Sequence, residues 1–164
     1  MNAPVRNRRA FLAENRRACL AENRRARFDY DIIETYEAGI ELTGQEVKSA
    51  KAGHINLSGS YAVVRNNEVW LLNAQIPAYQ PKNAPKDYDS GRTRRLLLRH
   101  EEIKGITGRV REKGLTFVPL RAYIKRGFVK IELGLGKSRK KSDKRAVLKK
   151  RAAEREMRTA REKS

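Results

Sequence analysis

The chain has a single cysteine among 164 residues, so Cys19 can close no internal disulfide, and nothing around it stands at metal-ligand spacing. Histidine is nearly as scarce. His54 and His100 lack a paired Cys, His or carboxylate, and each reads as an ordinary core or surface side chain. No apolar run reaches the roughly 18 residues that a membrane helix needs, and the amino terminus lacks the apolar stretch of a secretion signal. The expected location is therefore the cytoplasm. Acids number 19 against 38 Lys and Arg, and no spacing among them singles out a pair for general acid/base work. Two short motifs also fall away. "GLGKS" at 134–138 would need a glycine at Ile131 to be a phosphate loop, and "GITG" at 105–108 is too common a string to carry weight. These absences point to no enzyme, no cofactor and no metal.

What the chain does have is positive charge, unevenly spread. Residues 1–27 carry a net +6, residues 28–136 only +4, and residues 137–164 a net +9. A nearly balanced body between two cationic arms suits a polyanion, because every phosphate neutralised by Lys or Arg releases counterions. A surface charged only for solubility mixes its signs more evenly. A membrane surface fits less well, since the apolar positions of the carboxyl-terminal arm are mostly alanine.

The amino-terminal arm contains "LAENRRACLAENRRA" at 12–26, one basic heptapeptide twice. Two eight-residue units are too few and too short for a solenoid. An offset of eight also rotates corresponding residues about 80° around a helix, so the copies share no clean face.

From Phe28 onward short apolar runs alternate with turn residues. "YDIIETYEAGIEL" reads as a strand bent or broken at Gly39, and "GQEVKSAKAG" as a short helix closed by Gly53, with Val47 and Ala50 inward. "SYAVVRNNEVWLLNAQI" is a hairpin around Asn66-Asn67. Three prolines and a glycine make 77–91 a long loop, "RRLLLRHEEIKGITGRVREKG" reads as helical, and a second hairpin turns at Arg126-Gly127. The expected fold is mainly β: an OB-like β-barrel with two to three short helices, a class that binds nucleic acid on an outer face and loops. Three regions follow, a duplicated basic extension at 1–19, the barrel at 20–136 and a basic tail at 137–164. With only Val147, Leu148 and Met157 as large apolar residues, the tail is expected to be disordered when free and helical on an RNA partner.

The stretches "ENRRARFDYDIIETYEAGIELTGQEVKSAKAG", "NLSGSYAVV", "RTRRLLLRHEEI", "GRVREKGLTFVPLRAYIKRGFVKIELGLGKSRK" and "DKRAVLKKRAAEREMR" run in order over about 140 residues. Together they closely resemble the small protein B family, the SsrA-binding proteins of bacterial trans-translation. The resemblance implies an adaptor without a reaction of its own. It would bind the tRNA-like end of transfer-messenger RNA (SsrA RNA) and enter stalled 70S ribosomes, its tail lying on 16S ribosomal RNA in the empty message channel. Alanyl-tRNA synthetase and elongation factor Tu would be indirect partners through that RNA. Only the second repeat copy, Glu22–Phe28, continues into the first strand as the family element does, so the resemblance implies one working site. The rival reading is a small structural ribosomal protein with RNA-binding extensions.

Carried over residue by residue, Asn23, Arg24, Arg25 and Arg27 match the family's amino-terminal RNA-contacting element, and Glu37 matches an RNA-facing acid that orients a cation, accepts from a base or 2′-hydroxyl, or caps the bend at Gly39. Lys48 and Lys51 share a helix face, and Arg92, Arg94 and Arg95 follow the long loop. Leu97 either contacts the RNA platform or packs in the core, and Lys130 alternates with inward Val129 and Ile131. The ribosome-facing set is Lys137, Arg139, Lys140, Asp143, Lys144, Arg145, Lys149, Lys150 and Arg151, with Asp143 expected to cap the tail helix. Ser142 departs from the His or aromatic residue that many relatives carry there, which puts stacking at that position in doubt.

Overall fold

Asn66 and Asn67 both adopt positive φ, 52° and 58°, the primed turn whose twist suits a two-residue hairpin. They join β3 (Tyr61–Arg65) to β4 (Glu68–Leu72). Arg126 and Gly127, at φ 52° and 80°, do the same for β6 (Thr116–Lys125) and β7 (Phe128–Ser138). The computed structural model describes residues 19–163, which places the first repeat copy outside the described residues. Within them lie three more strands: β1 (Cys19–Glu22), β2 (Tyr30–Ile40) and β5 (Arg94–Leu97).

All seven strands form one antiparallel sheet, in the order β1-β6-β3-β4-β5-β2-β7, with a further pairing between β6 and β7. That pairing closes a ring of six strands, with β1 and β3 sharing the other edge of β6. Val69, Leu71, Ile76, Leu96, Phe117, Ile131, Leu133 and Leu135 are buried in one main cluster. Each such side chain contributes about 1.5–3 kcal/mol relative to exposure. Gly134 and Gly136 of β7 lie where β2 crosses closely: a Cβ on Gly136 would come within 2.7 Å of the Asp31 carbonyl oxygen.

The helices are α1 (Arg24–Asp29), α2 (Gly44–Lys51), α3 (His100–Lys113) and α4 (Lys141–Lys163). Thr43 and Glu46 cap α2 reciprocally, and Gly53 follows its end at φ 87°. Three expectations change. Strand β2 runs unbroken through Gly39, and its irregularity falls instead between Ile32 and Glu34. The helical reading of "RRLLL" gives way to β5, because Arg94 and Leu96 turn inward in period two while the strand pairs with β4 and β2. The helix begins only at His100, where the Arg99 backbone N–H donates to Glu102 at 3.0 Å, and "GITG" lies inside it. Last, β7 runs to Ser138, two residues past the expected end of the body.

Candidate nucleic-acid interface

On the outer face of the ring, residues paired across neighbouring strands point the same way. One row is Leu97, Gly39, Lys130 and Tyr123, across β5, β2, β7 and β6. Gly39 is the low point of this row: a Cβ there would stand 3.2 Å from that of Leu97, which is left 46% exposed. The next row is Glu37, Glu132 and Arg121. Phe128, 69% exposed, joins Glu37, Lys125, Arg126 and Lys130 around a shallow hollow at its end.

A chain of charges runs through these rows and reaches α1. Arg27 lies 3.5 Å from Glu132, which also pairs with Arg121 at 2.6 Å. The Arg121 guanidinium stands 5.2 Å over the Tyr123 ring. The Tyr123 hydroxyl donates to Glu37, whose carboxylate accepts from Lys125 at 3.0 Å as well. Burial raises the Glu37 pKa, but the hydrogen bonds from Tyr123 and Lys125 outweigh it and hold the acid below its ordinary value. Burial, then the Glu37 carboxylate, pushes Tyr123 upward. The face therefore presents a fixed anion bordered by Lys125, Lys130 and Arg27.

Helix α1 sits at one end of this face, packing its Ala26 against Val118 and Leu120 of β6. Asn23 holds it there. Its Nδ2 donates to the carbonyls of Leu57 and Pro119 at 3.0 and 2.9 Å, its Oδ1 caps the helix at the Ala26 N–H, and its own N–H reaches the Leu120 carbonyl. Arg24 and Arg25 remain exposed, tied among the described residues to Glu22 at 3.7 Å and Asp29 at 3.4 Å. The model of the SmpB protein family matches residues 20–163. The chain belongs to the SmpB family. It is 52% identical over 135 residues to the SsrA-binding protein of Gloeothece citriformis (strain PCC 7424), spanning 82% of this chain and 87% of that one. The SsrA-binding protein of Synechocystis sp. (strain ATCC 27184 / PCC 6803 / Kazusa) is 52% identical over 132 residues, 80% and 86% of the two chains. A solved chain from "tmRNA-SmpB: a journey to the center of the bacterial ribosome" superposes with a TM-score of 0.61 at 47% identity, covering 74% of this chain and 85% of that chain.

In this chain the structure brings together Glu37, Leu97, Lys130 and Arg27; Arg24 and Arg25 share the short helix α1 with Arg27, and Arg25 lines a separate hollow with Tyr61, Thr116 and Val118. Lys48 and Lys51 are exposed on α2. It does not bring Asn23 or Arg94 to the surface, which corrects the reading of both as RNA contacts. Asn23 is 3% exposed with its amide fully engaged. Arg94 is 0% exposed, held by Glu46 at 2.8 Å and by the carbonyls of Ala74, Ser90 and Arg92. Arg92 shares Glu46 at 2.7 Å, so the two cations are spent on pinning the long loop. Arg95 is half-covered between Glu41 and Glu68. Arg121, Tyr123, Lys125 and Glu132 went unnoticed in the sequence, although "RAYIK" sets 121, 123 and 125 on one face of a strand; Arg121 and Tyr123 are themselves buried and hold Glu132 and Glu37 from beneath.

In the tail, Asp143 accepts from the Lys140 N–H at 3.3 Å in the first turn of α4, and no residue of α4 is buried. Lys137, Lys140, Arg145, Lys149, Lys150 and Arg151 are exposed, whereas Arg139 and Lys144 are half-buried against Asp31 and Asp29. Among the described residues no cluster of His, Cys, Asp and Glu could hold a metal, and no helix is long and apolar enough to cross a membrane.

Proposed function

We infer that the chain is an RNA-binding adaptor of trans-translation that binds the tRNA-like end of transfer-messenger RNA and delivers it to stalled ribosomes. The observation that carries this is the outer face: an anchored acid, Glu37, between Lys125 and Lys130, with Arg27 on the neighbouring Glu132 and the exposed Arg24 and Arg25 on the same short helix α1. Cations alone attract any phosphate backbone, while a fixed carboxylate beside them accepts from a base or a 2′-hydroxyl and so adds discrimination. The closed ring of strands fits an OB-like barrel serving as the platform for the RNA, with residues 20–136 as the binding body and 137–164 as the ribosome-facing tail. The work is done in the cytoplasm, where the bound RNA brings alanyl-tRNA synthetase and elongation factor Tu into indirect partnership. Nothing in this mechanism asks the protein for a reaction, a cofactor or a metal.

The tail's Lys and Arg side chains lie along the empty message channel on 16S ribosomal RNA. Free of apolar anchors in its distal part, that helix frays in solution and is completed by its partner. A competition experiment at moderate salt tests the core of the reading. The tRNA-like end should be preferred over ordinary tRNA, and equal affinities for the two would sink the adaptor.

A further inference from the structure

Tyr123 is 2% exposed, yet it belongs to neither apolar cluster. Its side chain leaves β6 on the side of Arg121 and Lys125, and the Arg121 guanidinium covers the ring at 5.2 Å. In the sheet Tyr123 stands opposite Lys130 of β7, and Lys130 stands opposite Gly39 of β2. Glu37 lies two residues along β2 on the same face, so the tyrosine hydroxyl reaches its carboxylate diagonally over β7. A buried phenol needs a hydrogen-bond partner, and here the partner is the acid of the candidate RNA-binding face.

The donors divide that carboxylate unevenly. Oε2 accepts from the Tyr123 hydroxyl and from Lys125 Nζ at 3.1 Å, whereas Oε1 accepts, among the described residues, from Lys125 Nζ alone at 3.0 Å. Each carboxylate oxygen can accept about two hydrogen bonds, so Oε2 is filled and Oε1 keeps a place on a partly exposed side chain. Lys130 favours the ionised acid through its charge. Without the hydroxyl, the acid would be anchored by Lys125, a long chain that is itself half-exposed, and an exposed ion pair fixes little. The tyrosine has two side-chain torsions and a packed ring, so it holds the oxygen it donates to in one place.

We propose that Tyr123 is a positioning residue whose hydroxyl fixes the Glu37 carboxylate, so that Oε1 is presented between Lys125 and Lys130 as an acceptor for a hydrogen-bond donor of the bound RNA. This rests on the adaptor reading and deepens it, by naming what makes the acid selective. An acid free to close on Lys125 and Lys130 would neutralise two cations and leave no acceptor in a defined place. A held acid keeps the cations for phosphates and reads a donor at one position, and such placement is what separates one RNA from another.

The hydrogen bond can be read in the free protein. Tyr123→Phe removes the hydroxyl and keeps the ring under Arg121. The Glu37 carboxyl, followed by NMR of its carboxyl carbon, should then titrate nearer its ordinary value of 4.5 than in the parent, because the hydroxyl is one of the groups that hold it lower. With RNA, the ratio of affinities for the tRNA-like end and for ordinary tRNA should fall at least about threefold in Tyr123→Phe, roughly the worth of one hydrogen bond. Glu37→Gln should lower the same ratio, and Tyr123→Phe added to Glu37→Gln should lower it no further, because the tyrosine acts through the acid. A tyrosine with a merely structural role would cost the same in both backgrounds. An unmoved Glu37 titration, an unchanged ratio, or equal losses from Tyr123→Phe with and without Glu37→Gln overturns the proposal. The titration needs no RNA, so a parent that fails to prefer the tRNA-like end defeats the adaptor reading, while the titration still decides whether Tyr123 holds the acid.

Discussion

Asn23 and Arg25 stand two residues apart in a basic element, and their side chains do opposite jobs. Asn23 donates to carbonyls 34 and 96 residues away in sequence, so Asn23→Ala strands two buried acceptors and removes a helix cap. Urea unfolding should show a loss of about 2–3 kcal/mol. Arg25→Ala should move stability by less than about 0.5 kcal/mol and yet weaken RNA binding, because its partner Asp29 is half-exposed and its guanidinium faces solvent. If Arg25→Ala unfolds the protein as readily as Asn23→Ala, this division of labour is wrong. Glu46 gives the sharpest pH effect. Burial works to raise its pKa, but hydrogen bonds from Arg92, the Thr43 N–H and Arg94 carry it below its ordinary value of 4.5. A carboxylate depressed on folding stabilises fully above that value, and the contribution drains away as the pH falls through it toward the lower, folded-state value. Glu46→Gln should therefore cost about 3–5 kcal/mol at neutral pH, as for one lost partner of a buried pair, and much less in acid. Unfolding midpoints followed from pH 7 downward would read the difference. Neither role was legible from the letters: an amide among arginines looks like an RNA contact, and "RTRR" looks like a basic patch, until carbonyls and a carboxylate from distant segments are found beneath them.

The elements most legible in the sequence were those whose cause is local. Both hairpins were placed correctly because Asn66-Asn67 and Arg126-Gly127 must adopt positive φ whatever surrounds them. Strand β5 was missed because three consecutive leucines fit either period, and the choice was made by its neighbours β2 and β4. On the candidate face, Glu37 and Leu97 were singled out through resemblance and Lys130 through its alternation with inward Val129 and Ile131, while Arg121 and Tyr123 escaped because their partners Glu132 and Glu37 come from other strands. The tail was legible as a cationic, alanine-rich segment with helical propensity; its contacts with Phe28 and Asp29 were not, since they join residues more than 100 positions apart. Separation of tail from body makes a prediction at this scale. A chain ending at Lys141 should keep specific RNA binding, with some loss of salt-sensitive affinity, and should fail to tag proteins on stalled ribosomes. Ala152→Pro, exposed and charge-neutral, costs about 3 kcal/mol in a helix interior and should mimic the truncation in a tagging assay. Tagging at the parental rate by Ala152→Pro would mean that the tail acts as a diffuse cationic tether.

For the molecule as a whole, net charge is concentrated toward the two ends of the chain and is lowest in the middle. Deleting residues 2–18, which takes away the first repeat copy but spares Glu22–Phe28, should leave specific RNA affinity within about threefold, roughly 0.6 kcal/mol, while flattening its salt dependence through lost phosphate contacts. Filter binding across a salt series would check both, and a larger loss would make the first copy a working site. The strand order bears on how the molecule is made. Strands β1 and β2, near the start of the chain, find their partners β6 and β7 only after about a hundred further residues, and α1 is pinned by a carbonyl of Pro119. Pairings so distant in sequence place folding in the slow, millisecond-to-second regime. They also set an order of maturation: during synthesis the candidate RNA-facing surface has no floor until β7 has left the exit tunnel, so a half-made chain carries the cations of its amino-terminal arm without the face that Glu37, Lys125 and Lys130 form together.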